Sequence, residues 1–547
     1  MEVSNHMEIP MSEAKKMVDQ ARKGEKLSSK AGSLMELINS RQTDELIIAF
    51  CGALGSGTSV VAKRFEANLA GKKYDTKYIK VSTLIVDSFP EDKRIENLGS
   101  MAKAKKIETL QDLGNELRDE YGTDVLAQKI VSSIAIDRRE ETKESKEENK
   151  RNRRHVTFID SLKHPAEYEL LKAVYGNMFY MVGVLCPEQI RTNRLVNEDG
   201  FGKEDAVILT QRDKNEGLKY GQKLVKTIQH ADFFIRNAKG NAGALDNPID
   251  RYLNLMLGKR DITPTLDEYA MNAAHSASLR SGCMSRQVGA AILSAEGDLI
   301  STGRNDVPRG GGGLYGPEDG EDDFRCVMKA NGTCQSNDKK NEIIGEIEGV
   351  FKSELMKVCK KVDGLVELLK KENMDVDGIV EMLRKKAADI PQLEGLIEFS
   401  RAVHAEMDAI TTAARMSTVS LRGGSLYCTT FPCHHCARHI VSSGISKVYY
   451  IEPYEKSLAF DLHSDSIEID ASDKLQDISK LRIIPFEGVA PKQFVNMFEI
   501  GNRKKNGKRI DVDLSVAKPV LQKFLFNSLD FEKVVATYHG EQMAAKK

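Results

Sequence analysis

The sequence predicts an α/β protein with two domains. At about 150 residues per domain, its 547 residues are long enough for roughly two to four domains. Short apolar runs alternate with helical segments in both halves of the chain, and this order predicts parallel sheets covered by helices. The first half contains a glycine-rich turn between a strand and a helix, and the second half contains closely spaced histidine and cysteine residues. We therefore expect one site in each half.

The composition excludes several classes of protein. Hydrophobic residues make up 41% and charged residues 29%, which is typical of a folded globular protein. The net charge of −1 argues against a chain dominated by a duplex-binding face. We find no apolar run long enough to span a membrane, and the first residues lack the apolar core of a signal peptide. Nine cysteines without a disulfide-scaffold pattern predict the reducing cytoplasm.

The predicted domain order follows from these segments. We expect a tail or leading helix at 1–40 and a first domain at 41–258. A second domain is predicted at 262–500, with a helical insertion at about 316–395. A basic extension occupies 501–547.

The first domain is predicted from apolar runs bounded by turns and helices. Its predicted strands are Glu45–Cys51, Tyr78–Val81, Val156–Asp160, Phe179–Leu185 and Ala231–Arg236. Its predicted helices are Val60–Leu69, Ile107–Tyr121 and Asp124–Ile136. This alternation favours a parallel sheet with helices on both faces.

The second domain shows the same alternation with a longer insertion. Its predicted strands are Val288–Leu293, Leu299–Gly303, Ser425–Thr429 and Lys447–Ile451. Its predicted helices are Leu266–Ser281, Leu396–Arg415 and Cys433–Ser443. An apolar stripe at helical spacing between Glu342 and Lys386 predicts an inserted helical hairpin.

The strongest chemical signal is a metal-ligand pattern in the second domain. His404 lies near the start or middle of its predicted helix, and Cys433 and Cys436 are spaced i, i+3 in the first turn of another. Imidazole and thiolate are zinc ligands, and a catalytic zinc site uses three protein ligands and leaves one position open. The sequence therefore predicts a Zn²⁺ site on these three residues.

Glu406 makes this site chemical rather than structural. A carboxylate beside a zinc site takes a proton from water and passes protons to a ring nitrogen and a leaving amine. The alternative is a structural zinc knuckle with His434 or His435 as the fourth ligand, which the upstream His-Ala-Glu disfavours. A second metal on Cys326 and Cys334 is a weaker hypothesis.

Four sequence blocks carry a family resemblance. They are Ser285–Ala290, Gly303–Pro308, His404–Glu406 and Phe431–Ala437. These blocks occur in the order that the deoxycytidylate deaminases use, and residues from about 266 to 495 resemble that family. The resemblance implies a three-layer αβα cytidine deaminase-like fold. The resemblance implies that Asn305 contacts the nucleotide near its sugar and base. Arg286 and Arg309 are weaker candidates for binding the substrate phosphates.

The first domain contains a candidate phosphate-binding loop in which one residue of the usual pattern is replaced. Its candidate residues are Gly52, Gly55, Ser56, Gly57, Thr58 and Ser59, and they fit the G-x-x-x-x-G-K-[S/T] pattern except at Thr58, which replaces the lysine. Asp160 ends a buried strand and is the candidate acid for organising Mg²⁺. Loss of the lysine charge is expected to impair phosphoryl transfer more than phosphate binding. An incidental glycine-rich turn is the alternative.

The first domain resembles the P-loop nucleoside monophosphate kinases, but it differs from their pattern at Thr58, which stands at the lysine position. We therefore favour a regulatory nucleotide-binding domain over a working kinase. The whole arrangement resembles the two-domain bacterial deaminases of anti-phage defence. The resemblance implies deamination of dCTP and dCMP, regulation by a nucleotide or an inhibitory RNA, and a homo-oligomer, with a hexamer expected. A housekeeping dCMP deaminase, a tRNA or single-stranded DNA deaminase, and an inactive signalling protein stay open as alternatives.

Overall fold

The structure is a computed structural model of the whole chain. It describes residues 42–144, 154–214, 220–238, 242–329, 332–362, 367, 369, 375–388, 390, 399–416, 419–454, 457–469, 480–499, 501–521 and 525–545. The leading helix predicted within residues 1–40 lies outside the described residues.

The first half of the chain folds around a six-stranded sheet. Its five parallel strands are β1 (Leu46–Gly52), β2 (Asp75–Lys80), β3 (His155–Asp160), β4 (Phe179–Leu185) and β5 (Phe233–Arg236). They stand in the order β5-β4-β1-β3-β2. β1 is buried along its entire length, as expected for a central strand covered on both faces. The predicted second strand, Tyr78–Val81, ends one residue too late, because Val81 begins a helix.

Helices cover both faces of this sheet. They are α1 (Thr58–Ala70), α2 (Val81–Val86), α3 (Lys93–Glu96), α4 (Lys103–Tyr121), α5 (Val125–Glu144), α6 (Pro165–Tyr175), α7 (Glu188–Asn193), α8 (Lys203–Lys214), α9 (Leu224–Ile228) and α10 (Asp246–Met256). One apolar cluster lies on each face, and both include alternate residues of β1. The residues of a strand point alternately to opposite faces, so β1 contributes to both clusters.

The second half of the chain folds around another six-stranded sheet. Its strands are β6 (Gly289–Leu293), β7 (Leu299–Arg304), β8 (Ser425–Thr430), β9 (Lys447–Glu452), β10 (Ile467–Ile469) and β11 (Leu481–Pro485). They stand in the order β10-β11-β9-β8-β6-β7. β6 is antiparallel to β7 and β8, while β8, β9, β11 and β10 run parallel.

The helices of this half pack on the sheet through two glycines. They include α11 (Leu266–Ser278), α12 (Gln335–Lys361), α13 (Val376–Ala388), α14 (Ala405–Met416), α15 (His434–Ser442) and α16 (Ala459–Leu462). A Cβ on Gly289 would lie 1.9 Å from Ala274 O in α11. A Cβ on Gly303 would lie 2.2 Å from Ala405 O in α14. Only a glycine permits these close contacts between helix and strand.

The predicted inserted hairpin corresponds to α12 and α13. These two helices pack against each other. No residue of α12 is buried, and Val350 and Phe351 of the predicted apolar stripe are 65% and 48% exposed. The helical pattern was therefore confirmed, while the stripe itself lies at the surface.

The last part of the chain returns to the first half. It forms β12 (Gly488–Val489), α17 (Phe494–Phe498), the two-residue strands β13 (Lys504–Lys505) and β14 (Lys508–Arg509), and α18 (Leu525–Ala545). β12 pairs with β5 in antiparallel orientation and so becomes the edge of the first sheet. α18 packs on α5, where Arg138 pairs with Glu45 and Glu532 in a buried cluster. Among the described helices, none is long and apolar enough to cross a membrane.

Candidate metal centre and active site

Three predicted metal ligands come together at the start of two helices. His404 Nδ1 lies 3.3 Å from Cys433 Sγ and 3.4 Å from Cys436 Sγ. All three ligand atoms lie within 4.8 Å of one another. The thiols are 5% and 1% exposed, while His404 is partly exposed. The prediction that these side chains share one site is therefore met by their geometry.

The distances between the three side chains fit a zinc ion. Zn–N bonds of about 2.0 Å and Zn–S bonds of about 2.3 Å in a tetrahedral site place nitrogen and sulfur about 3.5 Å apart. The observed distances of 3.3 Å and 3.4 Å are close to that value. Hydrogen bonding from Cys436 and the nearby His404 lower the pKa of the Cys433 thiol to about 4. The donor set thus offers a thiolate, which is the form that binds zinc.

The sequence placed His404 inside a helix, and this was wrong. The described helix α14 begins one residue later, at Ala405, and His404 accepts the first helical bond from Asp408 N at 2.9 Å. Val403, directly before it, forms an isolated bridge with Asp306. This bridge holds the chain extended before His404, so the histidine projects from the helix start.

Cys433 occupies the corresponding position in front of α15. It is the residue before the helix, and its sulfur accepts a hydrogen bond from Cys436 N at 3.4 Å. The extended conformation of Cys433 and the helical conformation of Cys436 turn both thiols toward His404. A helix N-terminus also stabilises negative charge, which favours thiolate here.

Glu406 lies in the first turn of α14 and is 4% exposed. Burial raises the pKa of its carboxyl above the ordinary value of 4.5. A carboxyl with a raised pKa in a cavity is suited to accept and return a proton near neutral pH. Glu406 and the ligands His404 and Cys433 line the same cavity, so the acid and the metal site face one space.

The cavity around these residues, here called the metal-site cavity, has a volume of about 940 Å³. Asn305 also lines it and is 8% exposed. Its side-chain oxygen accepts from Val288 N at 2.7 Å and Ser281 Oγ at 3.0 Å, and its amide donates to Arg286 O at 2.8 Å. Asn305 therefore fixes the segment from Ser281 to Val288, which forms one side of the cavity.

The two candidate phosphate-binding arginines have different positions. Arg286 lines the metal-site cavity and pairs with Glu452. Arg309 pairs with Asp319 at 2.7 Å and is not among the described residues that line this cavity. The structure thus brings Arg286 to the site and leaves Arg309 outside it.

Two supporting residues were not identified from the sequence. Gly303 allows α14 to approach β7 closely, and this contact positions His404 and Glu406. Asp408 accepts a hydrogen bond from Arg304 N at 3.0 Å and fixes the same helix to the end of β7. Gly303 was quoted within a motif, but its spatial contact with Ala405 cannot be deduced from positions about 100 residues apart.

The predicted phosphate-binding loop lines a second cavity, here called the loop cavity, with a volume of about 880 Å³. Its lining includes all but one of the predicted residues: Gly52, Gly55, Gly57, Thr58, Ser59 and Asp160. The exception, Ser56, is buried. Ser59 Oγ and Tyr78 OH each donate to Asp160 Oδ2 at 2.6 Å.

The loop is held by its backbone carbonyl groups. Four carbonyls, those of Gly52, Leu54, Gly55 and Ser56, accept hydrogen bonds from Lys163, Arg191, Arg194 and Asn237, respectively. Within the part of the chain that the structure describes, the amides of Gly55, Gly57, Thr58 and Ser59 have no partner. Free amides around a positive-φ glycine pair form a concavity suited to an anion.

Lys163 was not identified from the sequence, although Lys63 lies closer to the loop along the chain. Lys63 is exposed on α1, whereas Lys163 lines the loop cavity and donates to Gly52 O at 2.7 Å. Its ammonium also pairs with Asp213 at 2.8 Å, and Asp213 accepts from Leu54 N at 2.7 Å. The charge of Lys163 is therefore balanced within the protein.

The metal site lies in a part of the chain that is similar to known proteins. Residues 264–452 match the model of the cytidine and deoxycytidylate deaminase zinc-binding region. The three candidate ligands and Glu406 all lie within this matched segment.

Individual relatives cover smaller parts of the chain. It is 46% identical over 55 residues to the deoxycytidylate deaminase of Enterobacteria phage T2, which is 10% of this chain and 29% of the phage enzyme. It is 27% identical over 192 residues to a UPF0200 protein of Saccharolobus islandicus, which is 35% of this chain and 84% of that protein. The dCMP deaminase of cyanophage S-TIM5 aligns with 41% of this chain and all of its own, at 16% identity and a TM-score of 0.21.

Proposed function

We propose that the protein hydrolyses the exocyclic amine of deoxycytidine nucleotides, dCTP or dCMP, and forms deoxyuridine nucleotides and ammonia. The observation that carries this proposal is that His404, Cys433 and Cys436 form one cluster and that His404 and Cys433 line one cavity with the buried Glu406. Three ligands leave a fourth zinc position open, as a hydrolytic site requires.

Glu406 moves the protons of the proposed reaction. His404, Cys433 and Cys436 would hold the zinc, which would supply a nucleophile at neutral pH by lowering the pKa of water. Glu406 accepts the proton that water loses and delivers it to N3 of the cytosine as the oxygen adds to C4. It then takes the remaining proton from the oxygen added at C4 and delivers it to the departing amine, so that the C4–N bond breaks and one carbonyl and one ammonia form. Burial of Glu406 supports this role, because a raised pKa favours the return of each proton.

The first half of the chain is proposed to bind a regulatory nucleotide. The free amides of the loop support phosphate binding, and Ser59 with Asp160 is a suitable pair for an accompanying Mg²⁺. Thr58 in place of a lysine disfavours phosphoryl transfer, so we favour regulation over kinase activity. An inhibitory RNA is the alternative regulator.

The proposed biological role is anti-phage defence through depletion of cytosine nucleotides, with a cytoplasmic homohexamer as the assembly. The pairing of a lysine-less loop with a deaminase site supports regulation beyond that of a housekeeping dCMP deaminase. Phage challenge of cells that express the wild type or Glu406→Ala separates these roles, since defence requires the active protein. Light scattering of the purified protein tests the hexamer.

A substrate panel tests the proposed activity. Purified protein is incubated with dCMP, dCTP, deoxycytidine, a tRNA and a single-stranded DNA, and ammonia and uracil products are measured. We expect products from the free nucleotides alone, since the net charge of −1 provides little attraction for a polynucleotide. Products from the tRNA or DNA alone would instead support the polynucleotide deaminase.

A further inference from the structure

The metal-site cavity has walls from both halves of the chain. On one side lie His404, Cys433 and Glu406, and the segment fixed by Asn305. On another side lie residues from α6, α9 and the turn that follows α9, namely Pro165, Glu169, Val225, Lys226, Gln229 and His230. The cavity is therefore incomplete without residues of the first half.

The wall contributed by the first half of the chain is available to contact the sugar and phosphates of the proposed substrate. The cytosine ring must reach the three metal ligands and Glu406, so the remaining lining is available to the sugar and the phosphates. A nucleoside triphosphate carries several negative charges, and its binding requires cations or amide donors near them. The second half of the chain contributes three lysine and arginine side chains to the lining, those of Arg286, Lys340 and Arg401.

The cations that line the cavity differ in their partners. Arg286 pairs with Glu452, Arg401 donates to Phe324 O at 3.4 Å, and Lys340 of α12 also takes part in an interaction within the protein. Lys226 is exposed, and the described part of the chain provides no acceptor for its ammonium. Glu169 lines the same wall, but no ion pair joins it to Lys226 in the described residues. The ammonium of Lys226 is thus available to an anion in the cavity.

We propose that Lys226, on α9 of the first half of the chain, binds the outer phosphates of the deaminase substrate and makes the enzyme prefer nucleotides to the nucleoside. This inference rests on the proposed function. Lys226 is a specificity-determining residue in this account, and α9 is the element by which the first half of the chain contributes to the active site.

Steady-state kinetics of Lys226→Met with dCTP, dCMP and deoxycytidine test the proposal. We expect kcat/KM for dCTP to fall about 1.4- to fivefold, the range for a solvent-exposed charge pair. The fall should be smaller for dCMP and absent for deoxycytidine, while kcat at saturating dCTP stays unchanged. Lys226→Arg should retain most of the nucleotide preference because it keeps the charge.

Lys63→Met is the matched control. Lys63 is another exposed lysine of the first half and lies outside the described lining of both cavities, so its substitution should leave all three substrates unaffected. An active wild type with unchanged dCTP kinetics in Lys226→Met overturns this inference alone. An equal fall in kcat/KM for deoxycytidine also overturns the inference, because deoxycytidine has no phosphate and the substitution would then act through the shape of the cavity wall. A wild type that releases no ammonia from any of the three overturns both the inference and the proposed function.

Discussion

The two cavities of this protein are built from different parts of the polypeptide. The metal-site cavity depends on side chains, since His404, Cys433, Cys436 and Glu406 provide its chemistry. The loop cavity depends on backbone amides, which point to one space because basic side chains and an asparagine hold the neighbouring carbonyls. A substitution of one side chain therefore removes the chemistry of the first cavity. The second cavity retains its amide donors although Thr58 has replaced the lysine.

This difference predicts which substitutions damage each cavity. In the metal-site cavity, the sensitive positions are the three candidate ligands, Glu406, and the residues whose contacts orient these side chains. In the loop cavity, the sensitive positions are those that set the backbone conformation. Two glycine substitutions, one in each region, compare these rules directly.

Gly303→Ala is expected to have the larger effect. The new methyl group would lie 2.2 Å from Ala405 O and 2.3 Å from Ala409 N, so α14 must move away from β7. A displacement of about 1 Å at a catalytic group costs roughly 100-fold in rate. We expect a fall of about that size in ammonia release, together with a lower zinc content by metal analysis.

Gly310→Ala is the matched control for this substitution. No atom lies within 4 Å of a Cβ at Gly310, and its zinc content and turnover should equal those of the wild type. Wild-type turnover in Gly303→Ala would show that the helix-to-strand contact does not position the site.

Gly57→Ala tests the loop cavity. Gly57 has a φ of 80°, and a Cβ there would lie 2.4 Å from Asn237 Nδ2, so the substitution distorts the loop and its amides. We expect binding of dGTP, which carries no cytosine, to weaken about tenfold or more by calorimetry, while zinc content stays unchanged. Gly99→Ala, which meets no atom within 4 Å, is the control. Equal dGTP binding by the Gly57→Ala and wild-type proteins would show that the backbone conformation of the loop does not determine binding in the loop cavity.

A smaller effect is expected from His275 of α11. Burial lowers the pKa of His275 below its ordinary value of 6.5. The unfolded chain then binds the proton more readily than the folded chain, so stability is lost as pH falls through about 6.5 toward the folded pKa. Between pH 7.5 and 5.5, the Tm of the wild type should fall slightly more than that of His275→Gln. Parallel Tm curves for the two proteins would show that His275 does not contribute.

The sequence predicted the cluster of candidate ligands better than its surroundings. The spacing of Cys433 and Cys436 is local, so it identified two candidate metal ligands without any knowledge of the fold. The start of α14 at Ala405 depends on the bridge between Val403 and Asp306, and such long-range pairing leaves no local pattern. The same limit applies to the wall that Lys226 contributes, because it arises from the packing of two distant parts of the chain.

The fold was predictable where local patterns are strong. β1 and β4 were placed within one residue of their bounds, since each is a buried apolar run. The return of β12 to the first sheet was not predicted, because a two-residue strand has no periodicity and is stabilised by pairing with β5. In the same way, the loop pattern was found from its glycines, whereas Lys163 was found only from its contact with Gly52.

The central claim is that Glu406 moves protons beside a zinc ion held by His404, Cys433 and Cys436. Measurement of ammonia release from dCMP and dCTP by Glu406→Gln, with zinc analysis of the same sample, tests it most directly. We expect one zinc per chain, an unchanged fold and a kcat lower by about 10²- to 10⁴-fold, the usual contribution of general acid–base catalysis. Wild-type kcat in a zinc-loaded Glu406→Gln protein would contradict it.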